Sequence, residues 1–309
     1  MSKKIIAVII LLVFLIFFGL MALKGSYLKG SSKKLEMTVD RVNAIYDYGQ
    51  EAYKDQQDDK ALKAFEIIIN EGDSDDKKAD AIYKSAVIYE KKEDTLKAKK
   101  YYYKLITTFP DYPNLEDVQK KIEKMNISDL FSPFVDENSS SYVIKEGDTL
   151  GKIAVQNNTT VELLKKSNDL TGDIIMPGKT LKVPKGQFSI LVDKSQNMLF
   201  LKRDGNIFKT YNVSTGKNNS TPVGKFIIEE KMVKPLWYRV GAVVPADSQE
   251  YELGTRWMGL SIDGYGIHGT KDPSSIGKQA TLGCVRMINE EVEELFMIVP
   301  SGSEVVVVD

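Results

Sequence analysis

One cysteine, Cys284, and one histidine, His268, stand sixteen residues apart in a chain of 309. A lone cysteine cannot close an intramolecular disulfide, and a zinc site needs several Cys or His ligands, so no metal or cofactor is expected. What remains is thiol chemistry. A free thiol has a pKa near about 8.5, so only a few per cent is thiolate at neutral pH. A neighbouring imidazole can take the proton as a general base, or sit as imidazolium beside the thiolate and lower its pKa. Gly283 lets the backbone approach a substrate carbonyl without a Cβ in the way. The amides of Gly283 and Cys284 then offer an oxyanion hole, in which one donor is typically worth about 3 to 4 kcal/mol. Arg286 presents a planar fork for a carboxylate. With no second histidine, the imidazole must be oriented by a backbone carbonyl or a hydroxyl. Each residue also has a plainer reading, because most lone cysteines are buried small hydrophobes.

The strings around these residues narrow the choice. Gly266-Ile267-His268-Gly269-Thr270 and Thr281-Leu282-Gly283-Cys284-Val285-Arg286-Met287 resemble the signature of the YkuD-type L,D-transpeptidases. Ser214-Thr215-Gly216, Thr221-Pro222-Val223-Gly224-Lys225-Phe226 and Gly254-Thr255-Arg256-Trp257-Met258-Gly259-Leu260 agree with it. The resemblance spans residues 185–309 and implies the chemistry. Cys284 is the nucleophile, His268 the general base and Gly283 an oxyanion amide. Arg286, Thr281, Trp257 and Gly269 line the substrate site, although Trp257 reads equally as a core residue. Such enzymes attack the carbonyl between the third, diamino acid residue of a stem tetrapeptide and its terminal D-alanine. D-Alanine leaves, and the side-chain amine of a neighbouring stem resolves the thioester into a 3→3 cross-link. Water as acceptor would make the chain an L,D-carboxypeptidase instead, and a silent wall-binding scaffold is a third reading. Many relatives carry Ser-His-Gly-Cys where this chain has Thr281-Leu282-Gly283-Cys284, which puts in doubt any polar contact made by that extra histidine.

The elements that position these residues are short strands: 189–193, 198–202, 207–213, 226–229 and 304–308. An Asp204-Gly205 hairpin turn joins two of them. Residues 290–298 read as the only helix here, with Asn289 as its N-cap. A mostly antiparallel sandwich or barrel-like sheet is expected. Upstream, Asp136 to Ser141 reads as a linker within residues 127–141. Residues 142–184 resemble a LysM module, a βααβ unit whose strands are Tyr142-Val143 and Leu181-Val183. A helix capped by Asp148 or Thr149 follows Gly147. The resemblance implies a shallow groove for N-acetylglucosamine-containing glycan strands between Gly147, Asp148, Thr149 and Ile175, Pro177, with no aromatic for sugar stacking.

Residues 36–126 read as helices, with apolar residues at three- and four-residue spacing. Gly49, Ala52, Ala61 and Phe65 are echoed 37 residues later by Ala86, Tyr89, Ala98 and Tyr102. This resembles tetratricopeptide-type helix pairs, serving either as a groove for a protein partner or as a stalk. Asp73 to Asp76 reads as a polar turn. Residues 5–23 form an uncharged run of 19, fifteen of them Ile, Leu, Val or Phe. As a helix the run spans about 28 Å, close to a bilayer core of roughly 30 Å. It is longer than a cleaved signal usually is, so a retained single-pass anchor is expected. Residues 1–35 then comprise a cytoplasmic tip, anchor and linker. Lysines flank the run on both sides, so the external placement of the body follows from the downstream modules and not from charge. A formal net charge of −1 gives no footing for nucleic acid. The expected architecture is therefore multidomain: a transmembrane helix, all-α helical hairpins, a small βααβ module and a mostly β catalytic domain.

Overall fold

Apolar side chains every three or four residues can all be buried only on one stripe of a helix, and the first half of the chain follows that rule. A computed structural model describes residues 39–72, 74–239, 242–244, 248 and 251–309. The chain divides into two units, residues 1–122 and 123–309. The expected anchor over residues 5–23 lies outside the described residues, and no described helix is long and apolar enough to cross a membrane.

The first unit stacks helices α1 (residues 39–54), α2 (Asp58–Glu71), α3 (Asp75–Lys91) and α4 (Thr95–Thr108), followed by the start of α5 (Leu115–Phe131). Val42, Ala52, Ala61, Phe65, Ile68, Ala81 and Ile88 share its core. Gly49 shows why small residues recur: a Cβ there would lie 2.9 Å from the Phe65 ring and 3.0 Å from Ala64 Cβ. The expected turn at Asp73 to Asp76 is shorter than composition suggested. Asp75 and Asp76 already form the first turn of α3, where their charge favours the positive end of the helix dipole. Beyond Pro110 and Pro113, α5 runs past residue 126 to Phe131, because Val118, Ile122 and Leu130 keep the helical spacing.

In the second unit, strand β1 (Ser139–Val143) pairs antiparallel with β2 (Thr180–Pro184), and Tyr142 faces Leu181. Strand β1 thus begins inside the stretch that reads as a linker; Ser139 is buried and its hydroxyl meets the Asp136 carboxylate at 2.6 Å. Between the strands lie α6 (Leu150–Gln156) and α7 (Val161–Lys166). Thr149, rather than Asp148, caps α6 by accepting from Lys152 N, and Thr160 caps α7. Asn168 exchanges two hydrogen bonds with the Lys182 backbone, at 2.8 and 2.7 Å, and so behaves as an extra rung beside β2.

This module sits directly on the sheet that follows. Thr160 also donates its hydroxyl to Met297 O, and Leu163 of α7 is buried in the same core as the sheet. Lys182 donates to Asp129 O and Ser132 O at the end of α5, at 2.6 and 2.7 Å.

The C-terminal region supplies β3 (Phe188–Asp193), β4 (Met198–Arg203), β5 (Asn206–Asn212), β6 (Thr215–Gly216) and β7 (Gly224–Val233). Then come β8 (Trp237–Arg239), β9 (Ala242–Val244), β10 (Arg256–Leu260), β11 (Gly266–His268), β12 (Gln279–Thr281) and β13 (Val285–Arg286). Helix α8 (Asn289–Ile298) and β14 (Glu304–Val308) close it. Eight strands form one curled sheet in the order β13-β11-β10-β7-β14-β3-β4-β5. Asp204 and Gly205 both take positive φ, 50° and 81°, and make the expected tight turn between β4 and β5. The sheet is less uniformly antiparallel than its hairpins suggest, because β14 pairs parallel with β3 and β13 parallel with β11. Helix α8 buries Val292, Leu295, Phe296 and Ile298 against the sheet core. Its C-terminal carbonyls Phe296 O and Val299 O accept from Lys231 Nζ at 2.5 and 2.8 Å, and burial lowers that lysine's pKa to about 8. At the other edge, the half of α5 in this unit shields β5, with Asn126 Nδ2 donating to Phe208 O at 3.0 Å.

Candidate active site

The parallel pair β11–β13 brings the chemistry together. His268 lies in register with Arg286, and neighbouring strands run about 4.8 Å apart. Cys284 is the residue before β13 begins, so thiol and imidazole are carried on adjacent strand ends. Gly283 permits the approach: its φ is +139°, and a Cβ there would lie 2.6 Å from the Tyr265 ring. Cys284 is half-buried, and its thiol points at Gly264 O, 3.6 Å away.

His268 is buried, with Nδ1 2.6 Å from Gly269 O. A carbonyl oxygen can only accept, so Nδ1 carries the proton and Nε2 keeps its lone pair. This answers which group orients the imidazole. Trp257, opposite His268 on β10, stacks on the ring at 6.0 Å between centroids, and its indole N–H meets Glu230 Oε1 at 3.0 Å. Burial pushes the His268 pKa down to about 4, with Arg286 adding to the effect and the Gly269 carbonyl opposing it. Burial likewise raises the Cys284 thiol pKa, opposed by the Gly266 backbone and the Arg286 charge. Both shifts run the same way, favouring the uncharged imidazole and the uncharged thiol.

Several candidate residues sit where expected but are engaged differently. Gly283 N donates to Thr281 Oγ1 at 3.1 Å. That amide, expected to face an oxyanion, is engaged within its own loop. Thr281 is buried, and its hydroxyl also donates to Cys284 O at 2.7 Å; it ties down the loop that carries Cys284. Gly269 is buried and holds the imidazole through its carbonyl. Leu282 is 93% exposed, so the side chain that replaces histidine projects into solvent and leaves no internal polar contact missing. Arg286 is mostly buried; Nη2 lies 3.2 Å from Glu252 Oε2 and Nη1 3.3 Å from Ser275 Oγ.

Asn289 is the first residue of α8 and does not cap it. Its Oδ1 accepts instead from Thr255 N and Thr270 N, at 3.1 and 3.2 Å. It therefore fixes the strand end that carries Gly269. Leaving buried donors unsatisfied costs about 1 to 3 kcal/mol. Asn289→Ala is expected to lower the melting temperature by about 4 °C or more and to slow acylation of Cys284. Calorimetry paired with acylation rates checks this, and an unchanged melting temperature contradicts it.

Sequence reasoning missed Asn289 in this role, together with Glu252, Ser275 and the Gly264-Tyr265 turn under the thiol. Only the last carried a signal, the Asp263-Gly264 dipeptide between two strand patterns. Among the described residues no group of three or more His, Cys, Asp or Glu side chains is placed to hold a metal ion.

In the βααβ unit, Gly147 adopts φ +81°. Asp148 accepts from Lys145 N at 2.8 Å and from Tyr142 Oη at 2.9 Å. Thr149 is the α6 cap, so these two side chains shape the loop from within. Ile175 packs against the module's core, whereas Pro177 is exposed. Ile144 bonds Lys179 O and Gly178 N, which joins the bases of the two loops.

Three family models match along the chain. A family model described as the L,D-transpeptidase catalytic domain matches residues 187–307, a LysM domain model matches 142–184, and a tetratricopeptide repeat model matches 80–112. The putative L,D-transpeptidase YkuD of Bacillus licheniformis is 35% identical over 172 residues, 53% of this chain and 96% of that protein. Its Bacillus subtilis counterpart is 32% identical over 174 residues, 54% of this chain and 98% of that protein. An NMR structure of the catalytic domain from E. faecium L,D-transpeptidase aligns at 24% identity, covering 40% of this chain and 98% of that one, with a TM-score of 0.34. With nearly the full length of two YkuD proteins matched at this identity, the chain belongs to the YkuD family of L,D-transpeptidases and carries their catalytic domain.

Proposed function

We propose that this L,D-transpeptidase works through Cys284 and joins peptidoglycan stem peptides by 3→3 cross-links. The observation that carries the reading is a buried His268, its Nδ1 2.6 Å from Gly269 O, on the strand beside the loop that presents the chain's one thiol. Nε2 takes the thiol proton as sulfur attacks the carbonyl between the diamino acid and the terminal D-alanine. The Cys284 amide faces the developing oxyanion. The proton passes to the departing D-alanine amine, and a thioester remains. The side-chain amine of a second stem attacks it, His268 accepts that proton, and the thiol is restored. Arg286 binds a carboxylate of the donor.

The remaining modules serve delivery. The LysM module holds glycan strands through the loops at Gly147 to Thr149 and Ile175 to Pro177, which raises the local concentration of stems. Residues 5–23 anchor the chain in the cell membrane with its body on the wall side. The helical unit either binds a protein partner or spaces the enzyme from the membrane. Tyr46 Oη and Lys84 Nζ converge on Asp80 there, at 2.7 and 2.9 Å, a polar cluster that satisfies itself.

The test is to incubate purified disaccharide-tetrapeptide fragments with the protein and weigh the products. Dimers linked diamino acid to diamino acid, with one D-alanine released per link, are expected. Tripeptide stems without dimers would make water the acceptor and the chain a carboxypeptidase. No product from folded protein would leave a wall-binding scaffold.

A further inference from the structure

Glu252 places a carboxylate on the guanidinium that the functional reading reserves for substrate. Its Oε2 lies 3.2 Å from Arg286 Nη2, with the Glu252 side chain 60% exposed and that of Arg286 11% exposed. The flanking residues hold it there. Tyr251 and Leu253 are buried together with Val244 and pack against Trp257, and Tyr251 donates its hydroxyl to Pro235 O at 2.7 Å. With both neighbours turned inward, Glu252 is left facing the site. Arg286 is in register with His268, one residue beyond Val285 and two beyond Cys284. Its charge acts on both catalytic groups.

The pair is built to be broken. A guanidinium carries five N–H donors and reaches full strength with a carboxylate through two parallel bonds. Here Glu252 makes one contact, Nη1 reaches only the Ser275 hydroxyl at 3.3 Å, and the buried Nε has no partner. A single-point ion pair with an exposed partner is weak. Arg286 is therefore held in place but unsatisfied, and a carboxylate that engages its fork displaces Glu252.

We propose that Glu252 is an internal substitute for substrate: it occupies the anion seat of Arg286 in the free enzyme and yields it to a carboxylate of the donor stem peptide. It thereby sets how strongly the enzyme distinguishes carboxylate-bearing donors from neutral, amide-bearing ones. The inference rests on the reading of Cys284 as nucleophile and Arg286 as carboxylate receptor, but its test does not require transpeptidation.

Cys284 is the chain's single thiol, so its alkylation is read cleanly by intact mass. Iodoacetate and iodoacetamide are close in size and differ in charge; each loses iodide as the sulfur–carbon bond forms. In the full chain, Glu252→Gln is expected to raise the ratio of iodoacetate to iodoacetamide rates roughly fivefold, the upper range for an exposed pair. Arg286→Gln is expected to lower that ratio, and adding Glu252→Gln to it then changes nothing further, as coupled residues require. An unchanged ratio in Glu252→Gln overturns the proposal. So does an equal rise with or without Arg286, which would be the bulk effect of one fewer negative charge. A chain that shows the predicted ratios yet makes no cross-links loses transpeptidation but keeps the exchange of Glu252 for an incoming carboxylate on Arg286.

Discussion

Cys284→Ser protein, folded like the wild type, is expected to form no covalent adduct with a stem peptide or a carbapenem, its acylation slowed by about 10⁴-fold or more. The size of the loss follows from the proton, not from shape, since serine and cysteine differ little in volume. His268 is pushed down to about 4 by burial, which makes it a poor base. A thiol, even one raised above its ordinary value by burial, lies within reach of such a base when transfer is concerted with bond formation to carbon. A hydroxyl lies many units further away, and among the described residues no carboxylate is bonded to this imidazole to lift its basicity. Intact-mass analysis after incubation reads the adduct directly. Labelling of the serine protein at even a hundredth of the wild-type rate would contradict a nucleophile at position 284.

His268→Gln is expected to reduce acylation at pH 7 by about 10² to 10⁴-fold, the usual worth of a positioned general base. The deficit should shrink as pH rises, because above its own raised pKa the thiol ionises without help. The sign at the acid end is equally definite. A base titrating at about 4 stays neutral down to that pH, so the wild-type rate should fall only as pH drops through about 4, not through the ordinary histidine value of 6.5. Alkylation of Cys284 by iodoacetamide gives the companion measurement. It should climb with pH through neutrality with no plateau, since the thiol is protonated at rest. A flat alkylation profile from pH 5 to 8 would reveal a standing thiolate–imidazolium pair and refute the assignment of His268 as a neutral base.

Much of this site was visible in the order of residues. The lone thiol and imidazole and the glycine before the thiol are local features, which a sequence states openly, and the pairing of Tyr142-Val143 with Leu181-Val183 followed from the resemblance to LysM. The hidden parts depend on which strand lies next to which. The three buried residues of β11 show no alternation, and nothing in their order says that β13 lies beside them in parallel and sets Arg286 against His268. Asn289 carries the signature of a helix cap because Asn often caps, yet two amides from distant segments compete for its oxygen and win it. Thr281 looked like a substrate contact because its hydroxyl stands near the nucleophile. The turn around Gly283 claims both the donor and the acceptor capacity of that hydroxyl. Glu252 belongs to no periodic pattern, and only the burial of Tyr251 and Leu253 on either side gives it a direction.

The C-terminal end of α8 is gripped from two directions, by Lys231 of the sheet and by Thr160 at the head of α7, while Leu163 lies in the sheet's own core. The loops proposed above to hold glycan and the thiol are therefore carried on one packed body. A polysaccharide seated on such a body meets the sulfur at one angle and one distance. Its pendant peptides project in successive directions along the chain, so only those at a matching pitch come into range. The spacing of links along a strand would then be measured by the protein's own dimensions, not by the slack of a tether.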